Sequence, residues 1–110
     1  IKPGRVGWLT VARRMHDLFR DAGLPCWVGG MLESATGASH CLALATLDNF
    51  TYPADLFPSE RFYAEDLSDP PLELSRDADG CPNLRVPRAL SEPVESRLRQ
   101  RLVQSATIRG

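Results

Sequence analysis

Lysine is nearly absent from this chain: of its 13 basic residues only Lys2 is a lysine, and the other twelve are arginines. Net charge is also nearly absent, since 13 Lys+Arg against 14 Asp+Glu leave −1. That balance argues against nucleic acid or an anionic membrane as partner. No apolar run reaches the ~18 residues a membrane helix needs, and no charged-then-apolar leader opens the chain. Cysteine is sparse and odd in number (Cys26, Cys41, Cys81) with no CxxC pair. The pattern fits reduced thiols and a cytoplasmic location better than a disulfide framework or a zinc site. The two histidines, His16 and His40, are far apart and form no ligand cluster. The chain by itself therefore holds no complete catalytic constellation and no metal-ligand cluster.

What is present is the alternation of α/β structure. At 110 residues with 43% hydrophobic content, the chain is one domain at most. Residues 1–7 read as a strand end and its loop, punctuated by Pro3, Gly4 and Gly7. Thr10 can cap a helix to about Ala22, with Val11, Met15, Leu18 and Ala22 as an apolar stripe and Ala12 and Phe19 beside it. Gly23 and Pro25 end that helix. Pro25-Cys26-Trp27-Val28 reads as a strand buried on both faces. A second helix is expected over about Gly37–Leu47, then a third strand at Phe50-Thr51-Tyr52. Residues 56–90, rich in Pro, Asp, Ser and Arg, predict irregular chain with one short hairpin, Asp79-Gly80 being a turn signal. Ser91-Glu92-Pro93 opens a last helix to about Val103, its narrow stripe of Val94, Leu98 and Leu102 packing on the body. Three parallel strands in β–α–β–α–β order leave an open edge, so a larger protein with more strands before Ile1 is expected.

Function in β/α barrels gathers where strands end at the C-terminal face, and Lys2 falls at such an end. A lysine there is a candidate base; a solvated lysine explains the same residue. Gly29-Gly30 closes the next strand and lets a ligand approach the main chain, or is only a turn. Glu33 stands just before a helix, where a carboxylate serves the helix dipole. His16 is expected to be solvated, His40 to be a packing residue and Cys26 a small core hydrophobe. Asp55, after the third strand, is the second polar candidate at the rim.

Three blocks in order carry a resemblance: Ile1-Lys2-Pro3-Gly4-Arg5-Val6-Gly7; then Val28-Gly29-Gly30-Met31-Leu32-Glu33-Ser34; then Leu42–Thr51 with Pro53-Ala54-Asp55. Over about residues 1–72 the chain resembles the C-terminal part of the enolase superfamily. The branch is that of o-succinylbenzoate synthases and N-acylamino acid (N-succinylamino acid) racemases, within the muconate lactonizing enzyme subgroup. The resemblance implies part of a modified TIM barrel, (β/α)7β, incomplete in this chain. Residues 1–62 would be its last strands and helices; residues 63–110 would be an irregular tail and a terminal helix on the body or capping domain.

The same resemblance implies α-proton abstraction next to a carboxylate, with Mg²⁺ held by residues outside this segment. Lys2 matches the sixth-strand lysine, which exchanges a proton on one face of the substrate or stabilises the enolate by its charge. Gly29, Gly30, Met31 and Leu32 match the loop that walls the pocket for the acyl group, and Phe62 matches an aromatic near it. The partner is a small carboxylate substrate, and the full-length protein is expected to be a homo-oligomer. Departures from the family pattern are Trp8 for a glycine, Ala38 for an arginine, and Leu56-Phe57-Pro58 within an otherwise Ser-rich stretch. Two other readings remain: a cycloisomerase or dipeptide epimerase of the same subgroup, and a truncated fragment without catalysis.

Overall fold

A computed structural model describes residues 1–103. The end of the expected tail, 104–110, lies outside the described residues. Helix α1 is a single turn, Pro3–Val6, begun by Pro3 at its first position and closed by Gly7 at φ 96°. Helix α2 spans Leu9–Asp21. Trp8 in extended conformation precedes it with no side-chain cap, so the expected cap at Thr10 is corrected: Thr10 lies inside the first turn. Its far end is a Schellman motif, with Gly23 at φ 69° and the Leu24 and Gly23 amides donating to the carbonyls of Phe19 and Arg20.

The buried face of α2 is Ala12 and His16, not the predicted stripe. Val11 and Leu18 are exposed, and His16, expected in water, is only 1% exposed. His16 can be buried because both ring nitrogens are satisfied. Nε2 accepts the Asn49 amide at 3.2 Å, which leaves the proton on Nδ1 to donate to Asp17 at 3.0 Å. The ring lies 4.8 Å from that of Phe50. This hydrogen bond, aided by Arg20 and opposed by slight desolvation, holds the Asp17 carboxyl below its ordinary range.

Helix α3 spans Ala35–Ala45, beginning and ending two residues earlier than the apolar run suggests. Its start is set from a distance: the Asp66 carboxylate accepts the Ala35 amide at 2.9 Å, and the Ser68 hydroxyl takes the Thr36 amide at 3.3 Å. Ala35, Ala38, Cys41, Leu42 and Leu44 turn into the core, where they meet Ala12, Val28, Leu56 and Leu72.

Between the helices run three extended segments, paired in parallel and in sequence order. Gly29 donates to the Ile1 carbonyl, Asp55 to Val28 and Gly30 to Asp55, at 2.8–2.9 Å. Bridges join Cys26 with Phe50 and Gly29 with Asp55. The expected third strand at Phe50–Tyr52 is thus reduced to single bridges, because Pro25 and Pro53 have no amide to extend a ladder. The segment at 25–28 is buried on one face only: Cys26 and Val28 point inward while Trp27 is half exposed. Alternation along an extended chain explains this, with the core lying on one side.

Two small antiparallel pairs follow. Strand β1 (Ser68–Asp69) pairs with β4 (Glu92–Pro93), and β2 (Leu74–Arg76) pairs with β3 (Pro82–Leu84) around a turn closed by Gly80 at φ 80°. Glu92 and Pro93 therefore belong to a strand rather than opening the last helix, which is α4, Glu95–Gln100. No residue of α4 is buried. Charge docks it: Arg97 donates to the carbonyls of Asp66 and Ser68 and pairs with Glu65, which also pairs with Arg101. Of its expected apolar stripe, Val94 and Leu98 are half-buried and Leu102 is exposed.

Candidate active site

The ends of the three parallel segments surround a cavity of about 320 Å³. Lys2, Gly30, Met31, Leu32 and Phe62 line it, together with Arg5, Glu33, Ala38, Asp55, Leu56 and Phe57. Five of the six residues that the resemblance assigns to the site therefore share one wall system, although 60 positions separate Lys2 from Phe62 along the chain. Gly29 lies instead beneath the lysine: a Cβ built on it would stand 3.1 Å from Lys2 Cε and Cγ. Its bare backbone lets the lysine stem cross there.

Lys2 Nζ donates to the Gly30 carbonyl at 2.7 Å and stands 3.5 Å from Asp55 Oδ2. The loop opposite is pinned at two points. Glu33 accepts the Met31 amide, and Tyr63 donates its hydroxyl to the Leu32 carbonyl at 2.7 Å. Gly30 has no room for a side chain, since a Cβ there would come within 2.9 Å of Glu33 Oε2 and 3.0 Å of Leu56 Cδ2. On the apolar side Phe57 and Phe62 meet edge to face at 6.4 Å, and the Arg61 guanidinium sits 4.3 Å above Phe57. One wall is thus charged, with Lys2 and Arg5 beside Glu33 and Asp55, and the other aromatic.

Arg5 was not singled out in the sequence, whereas Phe57 stood out there as a departure from the family pattern, and it lines the cavity. Arg5 was legible in principle, because three residues after Lys2 a single helical turn returns the chain to the same side. Phe57 lies in a loop after Pro53 without periodicity, so only that departure pointed to it. His40, its Nδ1 donating to the Thr36 carbonyl at 2.7 Å, and the buried Cys26 serve packing as expected. Cys41 is a different buried thiol: desolvation, with the Glu33 carboxylate adding to it, pushes it up to about 11.

Among the described residues, no three His, Cys, Asp or Glu side chains converge as metal ligands. The two carboxylates on the cavity are already engaged, Glu33 by the Met31 amide and Asp55 by Lys2. These residues do not make a Mg²⁺ site. No described helix is long and apolar enough to cross a membrane.

Comparison with known proteins places this geometry in a family. No family model matches the chain. An o-succinylbenzoate synthase from Geobacillus stearothermophilus is 39% identical over 110 residues, covering 98% of this chain and 28% of that protein. An N-succinylamino acid racemase from an Amycolatopsis species is 50% identical over 70 residues, 64% of this chain and 19% of the racemase. A solved enolase-superfamily member from Listeria innocua superposes with a TM-score of 0.74 at 31% identity, over 96% of this chain and 28% of that one. The chain belongs to the enolase superfamily and has its α/β type of fold. Within it, the similarity is to o-succinylbenzoate synthases and N-succinylamino acid racemases, of whose length it spans between about a fifth and somewhat over a quarter.

Proposed function

We propose that the chain is the C-terminal portion of an enzyme that abstracts the proton α to a carboxylate, as in o-succinylbenzoate synthesis or N-acylamino acid racemisation. The observation that carries this reading is Lys2, whose Nζ is held at 2.7 Å from the Gly30 carbonyl on the wall of the cavity. In the racemase reading the neutral amine of Lys2 takes the α-proton from one enantiomer, and the C–H electron pair stays on the substrate as an enolate. An acid–base group outside this chain then protonates the opposite face to give the other enantiomer; in the reverse direction that group takes the proton and Lys2, as an ammonium, protonates its own face. In the synthase reading its charge stabilises the enolate. Met31, Leu32 and Phe62 wall the acyl group, Gly30 borders the same cavity, and Gly29 lies under the Lys2 stem.

The remainder of the site is proposed to lie outside this chain, the divalent cation and its carboxylate ligands included. Residues 1–62 would complete a (β/α)7β barrel begun elsewhere, with residues 63–103 packed on it as a tail. The substrate is then a small carboxylate, and the full-length protein a homo-oligomer in the cytoplasm.

The full-length enzyme tests the reading. It should racemise N-succinylamino acids or dehydrate the o-succinylbenzoate precursor. Lys2→Ala should lower turnover by about 10²- to 10⁴-fold, the usual worth of a positioned acid–base group. In D₂O the variant should lose α-deuterium incorporation from one enantiomer only. Turnover of neither substrate by the unaltered enzyme would overturn the proposal; activity on a dipeptide or a muconate instead would move it within the subgroup.

A further inference from the structure

A lysine side chain has four rotatable bonds, so one at a strand end does not aim itself. Lys2 is nevertheless directed, by two groups from two different segments. The Gly30 carbonyl takes one of its N–H donors at 2.7 Å. The Asp55 carboxylate, from the neighbouring segment, stands at an ion-pair distance of 3.5 Å. The backbones that carry the two anchors are tied to each other. Asp55 N–H donates to the Val28 carbonyl at 2.9 Å, and its carbonyl accepts Gly30 N–H at 2.8 Å. Lys2 is tied to the same ladder through the Gly29 amide and the Ile1 carbonyl at 2.9 Å. Both Lys2 and Asp55 face the cavity.

We propose that Asp55 is a positioning residue for Lys2: with the Gly30 carbonyl it fixes the direction in which the amine meets the substrate. The inference rests on the acid–base role proposed for Lys2. A misaimed base costs turnover more than binding, since the displaced interaction belongs to the transition state.

The experiment compares Asp55→Asn, Asp55→Glu and Lys2→Ala in the full-length enzyme, following α-deuterium exchange from each enantiomer of an N-succinylamino acid separately. Asp55→Asn should slow exchange from the enantiomer that Lys2→Ala abolishes, by up to about 100-fold, with little change in KM. Exchange from the opposite enantiomer should persist. Asp55→Glu, which keeps the charge, should restore part of the loss. Equal slowing of both enantiomers, or slowing of neither, while Lys2→Ala stays enantiomer-specific, would overturn the role of Asp55 alone. Loss of enantiomer specificity in Lys2→Ala itself would instead overturn the reading beneath it. Thermal melts check folding, and if Asp55→Asn fails to fold, Asp55→Ser replaces it in the same comparison.

Discussion

Two residues show how far single positions could be read. Lys2 stood out because it is the only lysine, and its place at a strand end follows from sequence order. Its partner was visible only as a polar residue after the third strand; the 3.5 Å between them needs both segments folded. His16 shows the opposite case. Its neighbours on the helix are polar, yet the Asn49 amide and Asp17 satisfy it and draw it inside. Cys41 yields a pH prediction at this scale. Its thiol is raised from 9.0 to about 11 in the folded protein, so the folded state holds the proton more tightly than the unfolded chain does. The stability this contributes is complete below pH 9 and is lost as the pH rises toward 11. Cys41→Ala should therefore flatten the alkaline decline of melting temperature, and a decline of unchanged steepness would contradict the assignment. The native thiol should also resist alkylation at pH 8 until the protein unfolds.

Element existence was more legible than element bounds. The Gly23 stop, the Asp79-Gly80 turn and the two main helices follow from local chemistry, since glycine alone adopts positive φ cheaply. The start of α3 did not, because its cap comes from Asp66, thirty-one positions away. The same carboxylate accepts the Ser68 amide at 2.7 Å and the Ser59 hydroxyl. Asp66→Ala should therefore cost more than an ordinary cap, about 2 kcal/mol, by leaving several donors unpaired. Urea unfolding of the full-length protein measures it, and a loss below a few tenths of a kcal/mol would show the cap to be dispensable. The start of α4 was misread for a related reason. Ser91-Glu92-Pro93 is a sound helix opening, but pairing of Glu92 and Pro93 with β1 takes those residues into a strand.

At the scale of the molecule, the apolar side chains that remain outside are informative. Trp8 is 75% exposed and Leu18 62%, and Leu24 and Trp27 are each about half exposed. Such surface on one small chain favours association. The 110-residue chain made alone should self-associate on concentration, with light scattering giving masses above 12.2 kDa, and calorimetry should detect no micromolar Mg²⁺ binding. A monodisperse monomer that binds Mg²⁺ would contradict both expectations. The sequence by itself determined the family, the order of strand ends and helices, and the identity of the one lysine among them. Those depend on local spacing and on residue types that few alternatives can replace. Only the tertiary structure decided that Lys2, Gly30, Asp55 and Phe62 line one cavity, that His16 is buried, and that Asp66 starts α3. Each of these rests on a contact between residues distant in the chain, which local spacing does not encode.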